Sequence, residues 1–121
     1  MLSYDYDGSV LTLTLRGTPS ELQRAVIYND IVKDPLVPEG ALVLLDVRRA
    51  DDADGPADIE RRARILTNGL GAKLGAALAV VTPPRLADGA AYFRSMGEEL
   101  GVRIELFRDE PDARNWLSTF R

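Results

Sequence analysis

Four aspartates fall within nine positions: Asp46, Asp51, Asp52 and Asp54. Grouped carboxylate oxygens suit a hard cation, and paired carboxylates suit acid–base catalysis. The spacing lacks the glycine and terminal glutamate of a calcium loop, so no metal site is assigned. A second set is cationic. Arg16, Arg48, Arg85 and Arg108 each follow a run with strand character. At the carboxyl ends of parallel strands, beside helix N-termini, such guanidinium groups suit a phosphate, a carboxylate or an anionic lipid head group. Nearby acids offer the same arginines local partners, Asp51 or Asp52 for Arg48 and Arg49, and Asp109 for Arg108. A third set, Arg61, Arg62 and Arg64, forms a basic cluster suited to docking an acidic partner or surface. Glu60 stands four residues before Arg64 and can pair with it on a helix.

Composition narrows this chemistry. There is no cysteine and no histidine in the 121 residues. Disulfides, Cys/His zinc sites, thiol nucleophiles and a histidine general base are therefore excluded. Lys33 and Lys73 are the only lysines, so Schiff-base chemistry has few candidates. With no recognisable nucleophile, the expectation is a protein that is not an enzyme and needs no cofactor. A net charge of −4 argues against general nucleic-acid binding. No apolar run approaches the ~20 residues that span a bilayer. The start, Met1–Asp5, lacks the basic and apolar regions of a signal peptide, so a cytoplasmic location is expected.

The elements that must carry these residues follow from periodicity. Leu2, Tyr4 and Tyr6 alternate with polar residues, Asp7-Gly8 signals a hairpin, and Leu11, Leu13 and Leu15 resume the alternation. Thr18-Pro19-Ser20-Glu21 reads as a helix start, with Thr18 capping, Pro19 first and Glu21 closing a capping box. That helix runs to about Lys33, with Leu22, Ala25, Val26 and Val32 turned inward and Ile27, Tyr28 and Ile31 widening the apolar surface. Asp34-Pro35 ends it. Ala41–Val47 is almost unbroken apolar sequence, the mark of a strand buried on both faces. It discharges into a polar loop, Arg48–Pro56.

Pro56 and Asp58 open a second helix with Ile59, Ala63, Leu66 and Leu70 on one face. Ala76–Val81 is a second buried strand, followed by a helix over about Arg85–Leu100. Val102, Ile104 and Leu106 form a last strand. Asp109 caps a final helix whose stripe is Ala113, Trp116, Leu117 and Phe120. The order is ββαβαβαβα in a single domain, 1–121. It predicts an α/β fold: a mainly parallel five-stranded sheet with an N-terminal β-hairpin and four helices.

Three stretches of this pattern resemble the STAS/SpoIIAA-like family of small anti-sigma-factor antagonist domains. They are Leu42–Val47 with Asp46 at the strand end, Ala76–Pro83, and the tail Val102–Leu117, whose ending is similar to that of the small stand-alone members. The resemblance covers the whole chain and implies a SpoIIAA-like fold. It also implies a non-enzymatic regulatory or protein-interaction module. Regulatory members carry a phosphorylatable serine where the helix follows the central strand. Here Asp51–Asp58 holds no serine or threonine, so that switch does not carry over. Asp54 can imitate its charge, although a carboxylate favoured by the helix dipole explains it fully.

The resulting expectation is a protein partner, with a homodimer as the assembly. The partner surface is Arg49, Asp51, Asp52, Asp54, Arg61 and Arg64. The alternative is a carrier or sensor of a small anionic or lipid ligand held by Arg16, Arg48, Arg85 and Arg108. One structural question bears on both. Two strands read as buried on both faces, while the right-handed superhelix of four helices that the resemblance implies would cover mainly one. Either another molecule covers the second face, or the helices divide between the two.

Overall fold

A computed structural model describes residues 1–120. Strands β1 (Leu2–Tyr6) and β2 (Val10–Gly17) pair antiparallel, Leu2 opposite Leu15 and Tyr6 opposite Leu11. Asp7 organises the turn between them. Its Oδ1 accepts the Ser9 and Val10 backbone N–H groups at 2.9 and 2.8 Å. The hairpin expected from Asp7-Gly8 is present, with Gly8-Ser9 at its tip.

Helix α1 (Glu21–Lys33) starts two residues later than Thr18 and Pro19 suggest. Its N-cap is Ser20, whose Oγ accepts the Gln23 N–H at 3.1 Å while Gln23 Oε1 accepts the Ser20 N–H at 2.8 Å. Both Thr18–Glu21 and Ser20–Gln23 fit the capping-box spacing. The Thr18 hydroxyl instead donates to Asp51 Oδ2 at 2.9 Å. The buried face of α1 is also not the expected one. Arg24, Tyr28 and Ile31 point inward, whereas Leu22, Val26 and Val32 are 73%, 51% and 44% exposed. A close fit with the next helix accompanies this orientation. A Cβ at Gly69 would lie 2.8 Å from Tyr28 Cδ2, so the Tyr28 ring occupies the space that the glycine leaves open.

Strand β3 (Ala41–Ala50) runs three residues beyond the apolar stretch. After an irregularity between Thr14 and Arg16, it pairs Arg49 with Arg16 and Ala50 with Gly17. The loop predicted from Arg48 therefore begins at Asp51. Helix α2 (Pro56–Leu70) buries Ala63, Leu66, Leu70 and Asp58. A 3-10 turn, Gly71–Lys73, leads into β4 (Leu74–Val81). The single helix expected over 85–100 is broken into a 3-10 turn (Pro84–Leu86), α3 (Ala87–Ser95) and α4 (Gly97–Leu100). The Val102 N–H then bonds to the Gly97 carbonyl at 2.9 Å, turning the chain into β5 (Arg103–Phe107). In α5 (Glu110–Ser118), Asp109 caps as expected, accepting the Asp112 N–H at 2.9 Å.

The fold is α/β. Its five strands lie in sequence order, β1-β2-β3-β4-β5, with β2 to β5 parallel. Crossovers of one hand between successive neighbours place their helices on one face. On that face Leu11, Leu13, Val43, Leu45, Leu78 and Val80 pack with residues of α1, α2 and α3. On the other, Val10, Leu44, Ala77, Ala79 and Val81 pack against Ala113 and Leu117 of α5. The helices therefore divide between both faces of the sheet. Behind β1 and β2, beyond α5, the second face is polar: Ser3, Asp5, Thr12 and Thr14 alternate with the inward leucines. No helix among the described residues is long and apolar enough to cross a membrane.

Candidate functional site

Where β2, β3 and β4 end, helices α1, α2 and α3 of the first face leave a cavity of about 130 Å³. This is the carboxyl-end position at which open α/β sheets bind ligands. The strands supply Leu15, Leu45, Val47 and Val80, α2 supplies Ile59, Ala63 and Leu66, and α3 supplies Ala90 and Phe93. Small residues sit where larger ones would close the space. Ala50, Ala53, Ala63 and Ala90 present only methyl groups, and Gly89 presents none. A Cβ at Gly89 would lie 3.2 Å from Ile59 Cδ1, so even one added carbon crowds that wall. The exposed lining residues, Asp51 and Asp52, mark the mouth.

Few polar groups reach this wall. Arg24 of α1 is 5% exposed. Its Nε donates to the Pro19 carbonyl at 3.3 Å, and its Nη2 is buried with no hydrogen-bond partner among the described residues. Arg62 of α2 is paired with Asp58 at 2.8 Å. Asp58, itself buried, also accepts the Asp54 N–H at 2.9 Å and pairs with Arg61. The Asp54 N–H holds the Asp58 carboxyl below its ordinary range; Arg62 and Arg24 add to this against the opposing effect of burial. Burial raises the Tyr28 phenol, with the charge of the neighbouring Arg24 and its hydrogen bonding to the phenol acting in the opposite sense. The Thr82 side chain completes the polar set.

The residues singled out from sequence fall mostly outside this cavity. Arg48 chelates Asp46, with Nε 3.0 Å from Oδ1 and Nη2 2.8 Å from Oδ2. Burial pushes the Asp46 carboxyl up, but the bonds from Arg48 outweigh it and leave the pKa lowered. Arg85 Nη2 donates to the carbonyls of Arg48 at 3.0 Å and Ala50 at 2.7 Å, clipping the end of β3. Arg16 and Arg49 stand side by side on neighbouring strands, both exposed, and Arg108 is exposed near the start of α5. These four anion candidates, Arg16, Arg48, Arg85 and Arg108, do not line the cavity.

Of the partner candidates, Asp51 and Asp52 border the mouth. Asp54 is exposed in the loop. The basic face of α2 is matched by acids: Arg61 pairs with Glu21 and Asp58, and Arg64 pairs with Glu60 at 3.2 Å and Glu99 at 2.6 Å. Sequence reasoning passed over Arg24, Tyr28 and Thr82 as cavity groups. Arg24 left one trace: it shares the spacing i, i+4, i+7 with Tyr28 and Ile31, a cation within an apolar stripe.

No protein-family model, curated protein or solved structure matches the chain.

Proposed function

We propose that this chain is a non-enzymatic, STAS-like regulatory module of the cytoplasm whose input is a small ligand with an apolar body. The ligand occupies the cavity at the ends of β2, β3 and β4, and the module acts as its carrier or sensor. One observation carries this reading. An apolar recess with a few convergent polar groups lies where α/β sheets bind ligands, and the chain's own side chains stop short of filling it. Its volume is close to that of the ~150 Å³ engineered cavity that takes up benzene. A ligand of benzene size is the matching scale.

The non-enzymatic part of the reading rests on the carboxylates. Asp46 and Asp58 are tied to Arg48 and to Arg61 and Arg62, which holds them ionised and committed to structure. The test is titration of the protein with benzyl alcohol, followed by the methyl resonances of Leu45, Leu66 and Val80. Saturable shifts at these methyls are expected. They should vanish in Ala90→Leu, which fills the recess. Absence of saturable shifts in the native protein overturns the reading.

A further inference from the structure

We infer that the ligand is a small monocarboxylate and that Arg24 takes its anion, an inference that rests on the cavity being a ligand site. Arg24 lines the cavity and is 5% exposed, yet Nη2 has no hydrogen-bond partner among the described residues. Buried donors in native proteins are almost always satisfied, so an orphan of this kind calls for an acceptor, and a ligand entering the cavity can supply it. The other guanidinium in the wall, Arg62, is paired with Asp58 at 2.8 Å, is partly open to solvent and has no buried orphan nitrogen. Asp58 in turn is shared by Arg61, Arg62 and the Asp54 N–H, which leaves little of its acceptor capacity for Arg24. Arg24 lines the cavity and keeps its Nε bond to the Pro19 carbonyl, which leaves Nη2 as the donor for a ligand in the lumen. There it meets a carboxylate whose hydrocarbon lies against Leu45, Val80 and Phe93.

The charge of the surroundings selects among anions. Two carboxylates stand at the mouth, Asp51 and Asp52. Asp51 Oδ2 accepts from Thr18, and Asp52 Oδ1 accepts the Ala53 N–H. They repel a dianion more strongly than a monoanion, which favours a carboxylate over a phosphate. A single orphaned guanidinium nitrogen in an apolar recess also fits one small head group better than a phosphate, which carries more acceptors.

The experiment compares benzoate, benzyl alcohol and inorganic phosphate on the native protein by calorimetry and methyl shifts. Benzoate should bind about tenfold or more tightly than benzyl alcohol, a charge-assisted bond's worth of affinity. Phosphate should not displace it. In Arg24→Met the preference for benzoate over benzyl alcohol should disappear. The native protein supplies a check that needs no variant: the preference should fall away as pH drops through the carboxyl range near ~4, where benzoate becomes neutral. Equal binding of benzoate and benzyl alcohol, unaffected by pH, overturns the carboxylate assignment and leaves the cavity reading standing. Displacement by phosphate overturns it in favour of a phosphate ligand. Failure of both aromatic probes to bind overturns the cavity reading and this inference together.

Discussion

Asp58 sits at the third position of α2, where the helix N-terminus favours negative charge. Gly55 precedes the helix and has no side chain with which to cap it, so Asp58 reaches back to the Asp54 N–H instead. It also faces Arg61 and Arg62. Removing this buried carboxylate leaves Arg62 without its partner, while Arg61 keeps Glu21. Asp58→Ala should lower stability by about 2 to 4 kcal/mol in urea denaturation; a loss below about 1 kcal/mol would show that the arginines find water instead. Asp7 adds a pH dependence. The Val10 N–H, then Arg114 and the Ser9 N–H, lower its carboxyl from 3.8 to about 2, against the opposing effect of burial. A folded-state pKa below the unfolded one means stability that is complete above about pH 4. It is lost as pH falls toward 2. Asp7→Asn should therefore be less stable than the native protein at pH 7 and show a flatter stability curve between pH ~4 and ~2, measured by chemical denaturation at each pH.

At the scale of elements, α1 separates two ways of reading one stretch. Thr18 and Ser20 both stand three residues before a Glu or Gln, but only Ser20 caps. Ser20→Ala should cost about 1 kcal/mol. Thr18→Ala, which removes one exposed hydroxyl bond to Asp51, should cost under about 0.5 kcal/mol. Equal losses in thermal and urea unfolding would place the cap at both residues. The faces of the helix predict a second contrast. Ile31 is fully buried and Leu22 is 73% exposed. Ile31→Ala should cost about 2 to 4 kcal/mol, and Leu22→Ala should stay within about 0.5 kcal/mol.

For the whole molecule, the deciding feature is the last helix. Among the described residues, α1 to α4 cover one face of the sheet, and α5 alone covers the back of its centre. Leu117 is fully buried there, and Trp116 packs between Phe107 and Phe120 with ring centroids 5.7 and 4.8 Å away. Leu117→Ala should cost about 2 to 4 kcal/mol. It should also raise binding of a hydrophobic dye, because loosening α5 uncovers Leu44, Ala79 and Val81. An unchanged dye signal with lowered stability would mean that α5 stays docked over the void. Arg114 links this helix to the opening hairpin through Asp7 at 2.8 Å, so the two ends of the described chain brace each other.

Much of this architecture was legible in the residues themselves. The hairpin, the buried runs around Leu44 and Ala79, the cap at Asp109 and the number of strands depend on neighbours a few positions away, and periodicity records such neighbours directly. The face that α1 turns inward was not legible, because apolar residues surround that helix. Its buried face meets the opening that Gly69 leaves for Tyr28. The division of helices between the two faces was likewise open, since a chain can leave β5 toward either side of the sheet. The cavity was hidden most deeply. Its wall gathers residues from β2, α1, β3, α2, β4 and α3, far apart in the chain, and the missing volume belongs to none of them. Local sequence records which side chains are apolar and which are charged. Only the tertiary packing decides where they fail to fill space, and which buried guanidinium is left with a free donor.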